Sequence, residues 1–230
     1  KAAQAGEPSS QYNLPGSYER GDGTKQDLSQ ARIWYEKSAE AGNTNAMVRL
    51  AHISFQGLGG LRNQDLGVNW LRKAAQSGHI DASFELGVLH WNGHLVAKDV
   101  DEAVRLFRRA AEGGSPRAQN QLGGMYLAGS GVKQDFAEGI RWTRLAAESG
   151  VSTSQYNLGY AFFQGHGVPK DLLQAAQWLT KAANARDLKA QVHLAYMYET
   201  GSGVELNPSE ALRWYEAAAE AGEPRAIQRL

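Results

Sequence analysis

Residues 115–150 read SPRAQNQLGGMYLAGSGVKQDFAEGIRWTRLAAESG, and their order decides the fold. Ala118, Leu122 and Tyr126 share one helical face, behind Pro116 at a position suited to the first turn of a helix. Gly129 and Gly131 can take the left-handed conformation that ends a helix and turns the chain. Asp135 then offers a side-chain oxygen to the free amides of a second helix, with Glu138 three residues on in capping-box spacing. Trp142, Ala146 and Ala147 give that helix its apolar face, and Gly150 closes it. The stretch is a helix-turn-helix unit.

The same unit recurs along the whole chain with a period of 36 residues. Terminal glycines stand at Gly6, Gly42, Gly78, Gly114, Gly150 and Gly222, with Arg186 alone departing. Eight residues earlier come Trp34, Trp70, Leu106, Trp142, Trp178 and Trp214, read as core. A leucine marks the first helix of each unit, helix A: Leu14, Leu50, Leu86, Leu122, Leu158, Leu194 and, in register, Leu230. The second helix, B, opens on Asp27, Asn63, Asp99, Asp135, Asp171 or Asn207, and carries a small residue at Ser38, Ala74, Ala110, Ala146, Ala182 and Ala218. Small side chains there let helices approach closely. Leu95 replaces the second turn glycine in the third unit, which predicts a locally altered turn.

This pattern predicts an all-α fold, one right-handed α-solenoid over residues 1–230 with a tetratricopeptide-like superhelix. Its six complete repeats cover 7–42, 43–78, 79–114, 115–150, 151–186 and 187–222. Residues 1–6 match the tail of a helix B and 223–230 the start of a helix A, so the array is expected to continue beyond both ends.

The match to A-x-x-x-L-G-x-x-Y-x-x-G-x-G-V, an acidic cap and A-x-x-W-Y-x-x-A-A-x-x-G resembles the Sel-one-like repeat, a relative of the tetratricopeptide repeat. Residues Ala118 to Gly150 and Ala190 to Gly222 carry the resemblance most fully; Pro15, Ser54 and His90 depart from it and imply looser packing in the first units. The resemblance implies scaffold and adaptor proteins, common in bacteria, that hold partners on the concave side. One subset resembles immunity proteins against secreted toxins; others assist signalling or envelope assembly. Either the bacterial periplasm or the cytoplasm suits such a chain.

Composition narrows the ligand. Lys plus Arg equals Asp plus Glu at 24 each, so there is no basic excess to neutralise phosphates, and nucleic acid is not expected. Zero cysteines exclude disulfides and thiolate chemistry. No apolar run reaches membrane-span length, and no nucleophile elbow, zinc-binding helix motif or phosphate loop is present. His90 and His94 straddle a helix end and read as structural. No catalytic residue, metal or cofactor is expected.

A partner surface follows from the helical wheel. With the repeat leucine at zero, positions two before, two after and five after it point away from the packing core, into the concavity. There stand Tyr12, Phe84, Asn120 and Tyr156, then His52, Tyr160 and Tyr196, then Phe55, Trp91 and Phe163. A contiguous aromatic strip marks an interaction site, unless superhelical curvature buries it between adjacent A helices. The slot five after the leucine also takes Glu19, Leu127 and Glu199, so it is read as free of packing demands. Glu19, Glu199, Gln56, Asn92, Gln164 and Lys189 would form a polar rim. The expected function is a non-catalytic scaffold holding a protein or peptide, as in an inhibitor or immunity protein. The alternative is a structural module of an oligomeric envelope or secretion assembly.

Overall fold

A computed structural model describes residues 8–230, with side chains from Leu14 onward. The expected helix-B tail at residues 1–6 and the side chain of Tyr12 lie outside the described residues. All regular elements among the described residues are helices, and they fall into two compact units that divide after Ser115. Unit 1 holds α1 (Pro8–Arg20), α2 (Leu28–Glu40), α3 (Thr44–Gln56), α4 (Gln64–Gln76), α5 (Ile80–Asn92) and α6 (Val100–Glu112). Unit 2 holds α7 (Pro116–Ala128), α8 (Phe136–Glu148), α9 (Ser152–Gln164), α10 (Leu172–Asn184), α11 (Leu188–Thr200), α12 (Pro208–Glu220) and α13 (Pro224–Ile227). Within each unit every helix packs on the one before it and the one after it, so helical hairpins stack in chain order.

Capping chemistry sets where the B helices begin. The side chains of Asp27, Asn63, Asp99, Asp135, Asp171 and Asn207 each accept from the backbone N–H three residues on. The reciprocal half of the expected capping box is not made. The cap's own amide already donates to a helix-A carbonyl nine residues back, as in Asp135 to Tyr126 at 3.0 Å and Asn207 to Tyr198 at 2.9 Å. The glutamates freed from that role turn outward to arginines one turn on: Glu102 to Arg105, Glu138 to Arg141 and Glu210 to Arg213.

The turn after each helix A also corrects an expectation. Leu95 keeps the left-handed conformation of its glycine counterparts, at φ 63° against 73° for Gly203, so the turn is retained by a side chain that ordinarily avoids it. Glycine is demanded more strongly where hairpins meet. A Cβ at Gly203 would run into the backbone of Leu172, which opens the helix B of the preceding repeat; at Gly23 it would meet nothing within 4 Å.

Two columns of residues build the core. The helix-A leucines Leu50, Leu86, Leu122, Leu158 and Leu194 are at most 3% exposed, and the small helix-B residues from Ser38 to Ala218 are all at 0%. In unit 2, Gln155 and Gln191 reach back to Ala147 and Ala183 carbonyls at the end of the preceding B helix, tying one hairpin to the next. Trp70, Trp142 and Trp178 are buried as expected. Trp34 and Trp214 are only half-buried, because α2 and α12 each lack one neighbouring B helix among the described residues. A cation lies over each of these five indoles, such as Lys181 Nζ 4.0 Å from the Trp178 ring and Arg141 4.0 Å from that of Trp142.

Two comparisons test this packing. Trp142→Ala should cost roughly 3–5 kcal/mol in urea unfolding, whereas Ser130→Ala, in an exposed turn, should stay within about 0.5 kcal/mol. Gly23→Ala should cost about 1 kcal/mol for the backbone alone, and Gly203→Ala about 2–3 kcal/mol because overpacking is added. Equal urea midpoints for the two glycine variants would refute the close approach at Gly203.

Candidate protein-interaction face

The sequence-predicted residues separate once their surroundings are compared. In unit 2, helices α9 and α11 bring four of them together. Tyr156 stacks on Tyr160 with centroids 6.0 Å apart, and Phe163 meets Tyr196 edge-on at 6.3 Å. All but Tyr196 are half-buried; Tyr196 is 38% exposed. Between them stands His193, whose ring lies 5.3 Å from Tyr160, 5.5 Å from Tyr156 and 6.5 Å from Phe163. Burial, with the neighbouring Tyr160 and Asp187, raises the pKa of the Tyr156 phenol. The cluster is a continuous aromatic surface with polar edges: Gln164 donates to the Tyr160 hydroxyl at 3.3 Å, and Lys170 Nζ lies 6.0 Å from the Phe163 ring.

Two clefts flank it. One of about 520 Å³ is lined by Phe163, His193, Tyr196, Tyr215, the α13 residue Arg225 and Arg229 just beyond it. The other, about 350 Å³, lies against Leu127, Phe136, Asn157, Tyr160 and His166. Asn120 is half-buried and spoken for, accepting from Ser154 Oγ at 2.7 Å.

Unit 1 treats its candidates differently. Phe84 is buried at 8% exposure with its ring 5.6 Å from Phe107, so the expectation of an open position fails there. The bulky Phe107 ring on α6 gives Phe84 a surface to pack on. Trp91 is half-buried with its ring 6.5 Å from the same Phe107. Phe55 is half-buried and seated where a Cβ on Gly67 would collide with it. His52, also half-buried, pairs with Glu85 at 2.7 Å.

The slot five after the leucine is therefore governed by packing after all. Leu127 occupies a notch at Gly139 as Phe55 does at Gly67. Where the slot holds glutamate, a tyrosine on the paired B helix holds the carboxylate: Tyr35 donates to Glu19 at 3.0 Å and Tyr215 to Glu199 at 2.9 Å. An arginine on the next A helix joins each, Arg49 on Glu19 and Arg229 on Glu199, the latter at 3.2 Å. Glu19 and Glu199 are ties between hairpins, and not a loose polar rim.

Among the described residues there is no group of three or more His, Asp and Glu side chains placed to hold a metal ion.

Comparison with known proteins decides the family. The Sel1 repeat model matches residues 8–43, 44–79, 80–115, 116–151, 152–187 and 188–223. The chain belongs to the Sel1 repeat family. Sel1 repeat proteins are protein-interaction scaffolds, generally without catalysis. Among solved structures, a protective antigen present in uropathogenic Escherichia coli strains is 36% identical with a TM-score of 0.92. That match covers 100% of this chain and 49% of the antigen, so the chain spans about half the length of that relative. A Sel1 repeat protein from Oxalobacter formigenes is 32% identical with a TM-score of 0.81, covering 96% of this chain and 91% of the other. An immunity protein from Pseudomonas aeruginosa, 17% identical over 97% of this chain and 82% of its own, shares the fold at a TM-score of 0.51. No curated protein sequence matches the chain.

The site residue missed from sequence is His193, one before its Sel1 repeat leucine. On the wheel that slot lies at about 260°, nearer the centre of the open face at about 210° than the slot five after the leucine at about 140°. The angle is legible in the sequence; a lone histidine at that angle carries no interface signal of its own. The same slot carries Arg49, Glu85 and Arg229, each bonded to a side chain of the preceding helix A, and Asn157, which lines the second cleft.

The Tyr215–Glu199 tie has a pH signature. Burial, then the hydrogen bond to the Glu199 carboxylate, push the Tyr215 phenol up to about 12 from its ordinary 10.0. A folded-state pKa above the unfolded one contributes stability that is complete below pH 10.0 and is lost as pH rises through about 12. The urea midpoint of wild type should exceed that of Tyr215→Phe below pH 10.0, and the difference should shrink towards pH 12. A difference independent of pH over that window would show that the tie does not control the phenol.

Proposed function

We propose that this chain is a non-catalytic scaffold that holds a protein partner on the open faces of its A helices. The observation that carries this reading is the aromatic surface of unit 2, where Tyr156, Tyr160, Phe163 and Tyr196 surround His193 between two clefts. Aromatic side chains with a polar handle are the groups that dominate protein interfaces, and a contiguous patch of them on a surface marks a contact site. Neutral overall charge, with 24 cationic and 24 acidic side chains, favours a polypeptide over a polyanion.

A narrower form of the proposal is an inhibitor, of the immunity-protein kind, that covers a toxin with this face. The competing form is a module of an envelope or secretion assembly. The two differ in what co-purifies from the native organism: a stoichiometric toxin or enzyme in the first case, self-association or envelope components in the second.

Tyr196→Ala tests the face most cleanly, since Tyr196 is the most exposed of the four aromatics. It should weaken the partner by about 2 kcal/mol or more, roughly thirty-fold in affinity, with a melting temperature far closer to wild type than that of Trp142→Ala. Unchanged affinity for the partner in both Tyr196→Ala and Tyr160→Ala would remove this surface from the interface.

A further inference from the structure

The cleft between α11 and α13 has a floor and an edge of different chemistry. Phe163 and Tyr196 supply an apolar floor. The edge is cationic, formed by Arg225 and Arg229 of the last described helical turn and its continuation. These two arginines are not equivalent. Arg229 is engaged by Glu199, whose other oxygen takes the Tyr215 hydroxyl. Arg225 is exposed, and no carboxylate or carbonyl is paired with it among the described residues. Its charge also acts on the Tyr156 phenol of α9, opposing the rise that burial causes.

The remaining charges around the cluster leave the same sign uncovered. Lys170 stands beside Phe163. Of the carboxylates nearby, Asp187 caps α11 by accepting from the Ala190 N–H at 3.0 Å, and Glu199 is held by the tyrosine and arginine. Among the described residues no carboxylate lines the cleft. A guanidinium at the edge of an aromatic floor, with no counter-ion among the described residues, presents a fork of donors matched to a carboxylate.

We propose that this cleft takes an acidic segment of the partner, in which an Asp or Glu binds Arg225 while an adjacent aromatic or branched apolar side chain lies on Phe163 and Tyr196. The assignment rests on the protein-binding reading and adds the partner's chemistry to it. Desolvation by the apolar neighbour strengthens the charge pair, and the pair fixes the register of the apolar contact. A single-stranded nucleic acid would also suit aromatics beside arginines, but the equal totals of acidic and basic side chains favour the peptide.

The test uses the full chain and three fluorescein-labelled probes: a short end-capped peptide alternating Glu and Phe, its Gln-for-Glu counterpart, and an oligothymidylate. Fluorescence anisotropy should show the Glu peptide binding about five-fold or more tightly than the Gln peptide at low salt, with the advantage shrinking as salt is added. Arg225→Glu should abolish that advantage, and Tyr196→Ala should weaken both peptides. Arg117→Glu, outside the cleft, should leave all affinities unchanged. Equal binding of the Glu and Gln peptides, or an advantage that survives Arg225→Glu, overturns the acidic assignment and leaves the scaffold reading standing. Tighter binding of the oligothymidylate than of either peptide overturns it in favour of nucleic acid. Absence of saturable binding by the Glu peptide removes the cleft as its site. Only a native partner indifferent to Tyr196→Ala and Tyr160→Ala would count against the scaffold reading itself.

Discussion

Two helices approach closely only where nothing bulky stands between them, and a column of small residues in the B helices meets that condition in every repeat. Ser38, Ala74, Ala110, Ala146, Ala182 and Ala218 are all fully buried. Their carbonyls also accept from the residue that precedes the next helix A, as with Glu223 to Ala218 at 3.0 Å and Asp187 to Ala182 at 3.0 Å. One slot thus sets the distance between helices and begins the following hairpin. A protein interior is packed too densely to absorb a longer side chain there without moving a helix, so the period of 36 residues and the alanine column stand together.

On that fixed frame the outer row of the A helices is adjustable. In the first and last described hairpins it carries the Glu–Tyr–Arg ties at Glu19 and Glu199, and elsewhere the pairs His52–Glu85 and Asn120–Ser154. Half-exposed pairs of this kind contribute little to stability, so a repeat loses little by replacing them. Unit 2 does so at Phe163 and His193. The space that a polar tie would occupy becomes aromatic surface, and the cleft beside Tyr196 opens next to it. Function, on this account, sits where a repeat departs from self-satisfied ties.

The contrast between units shows why the candidate site was only partly legible. Phe84 and Tyr156 occupy the same slot, two before the repeat leucine. One is buried because Phe107 stands on the B helix it faces; the other lies at a surface with Tyr160 and His193. A wheel for one helix reports which way a side chain points but not what the next helix brings to meet it. The slot holding Glu19, Phe55 and Trp91 misled for the same reason. It varies because its partners vary, a tyrosine for the glutamate and a glycine notch for Phe55.

What the sequence determined by itself was everything local and periodic. Capping side chains start the B helices, glycines end the A helices, and the leucine and alanine columns fall on buried faces, because those choices depend on neighbours within one turn or one repeat. Leu95 marks the edge of that reach: its turn persists with a leucine in a conformation that favours glycine. Only the tertiary structure decided which outward-facing aromatics stay at the surface, that His193 stands among them, and that Arg225 has no counter-ion among the described residues. Those outcomes depend on side chains about thirty residues away that meet across hairpins, and no rule of spacing along a single helix contains them.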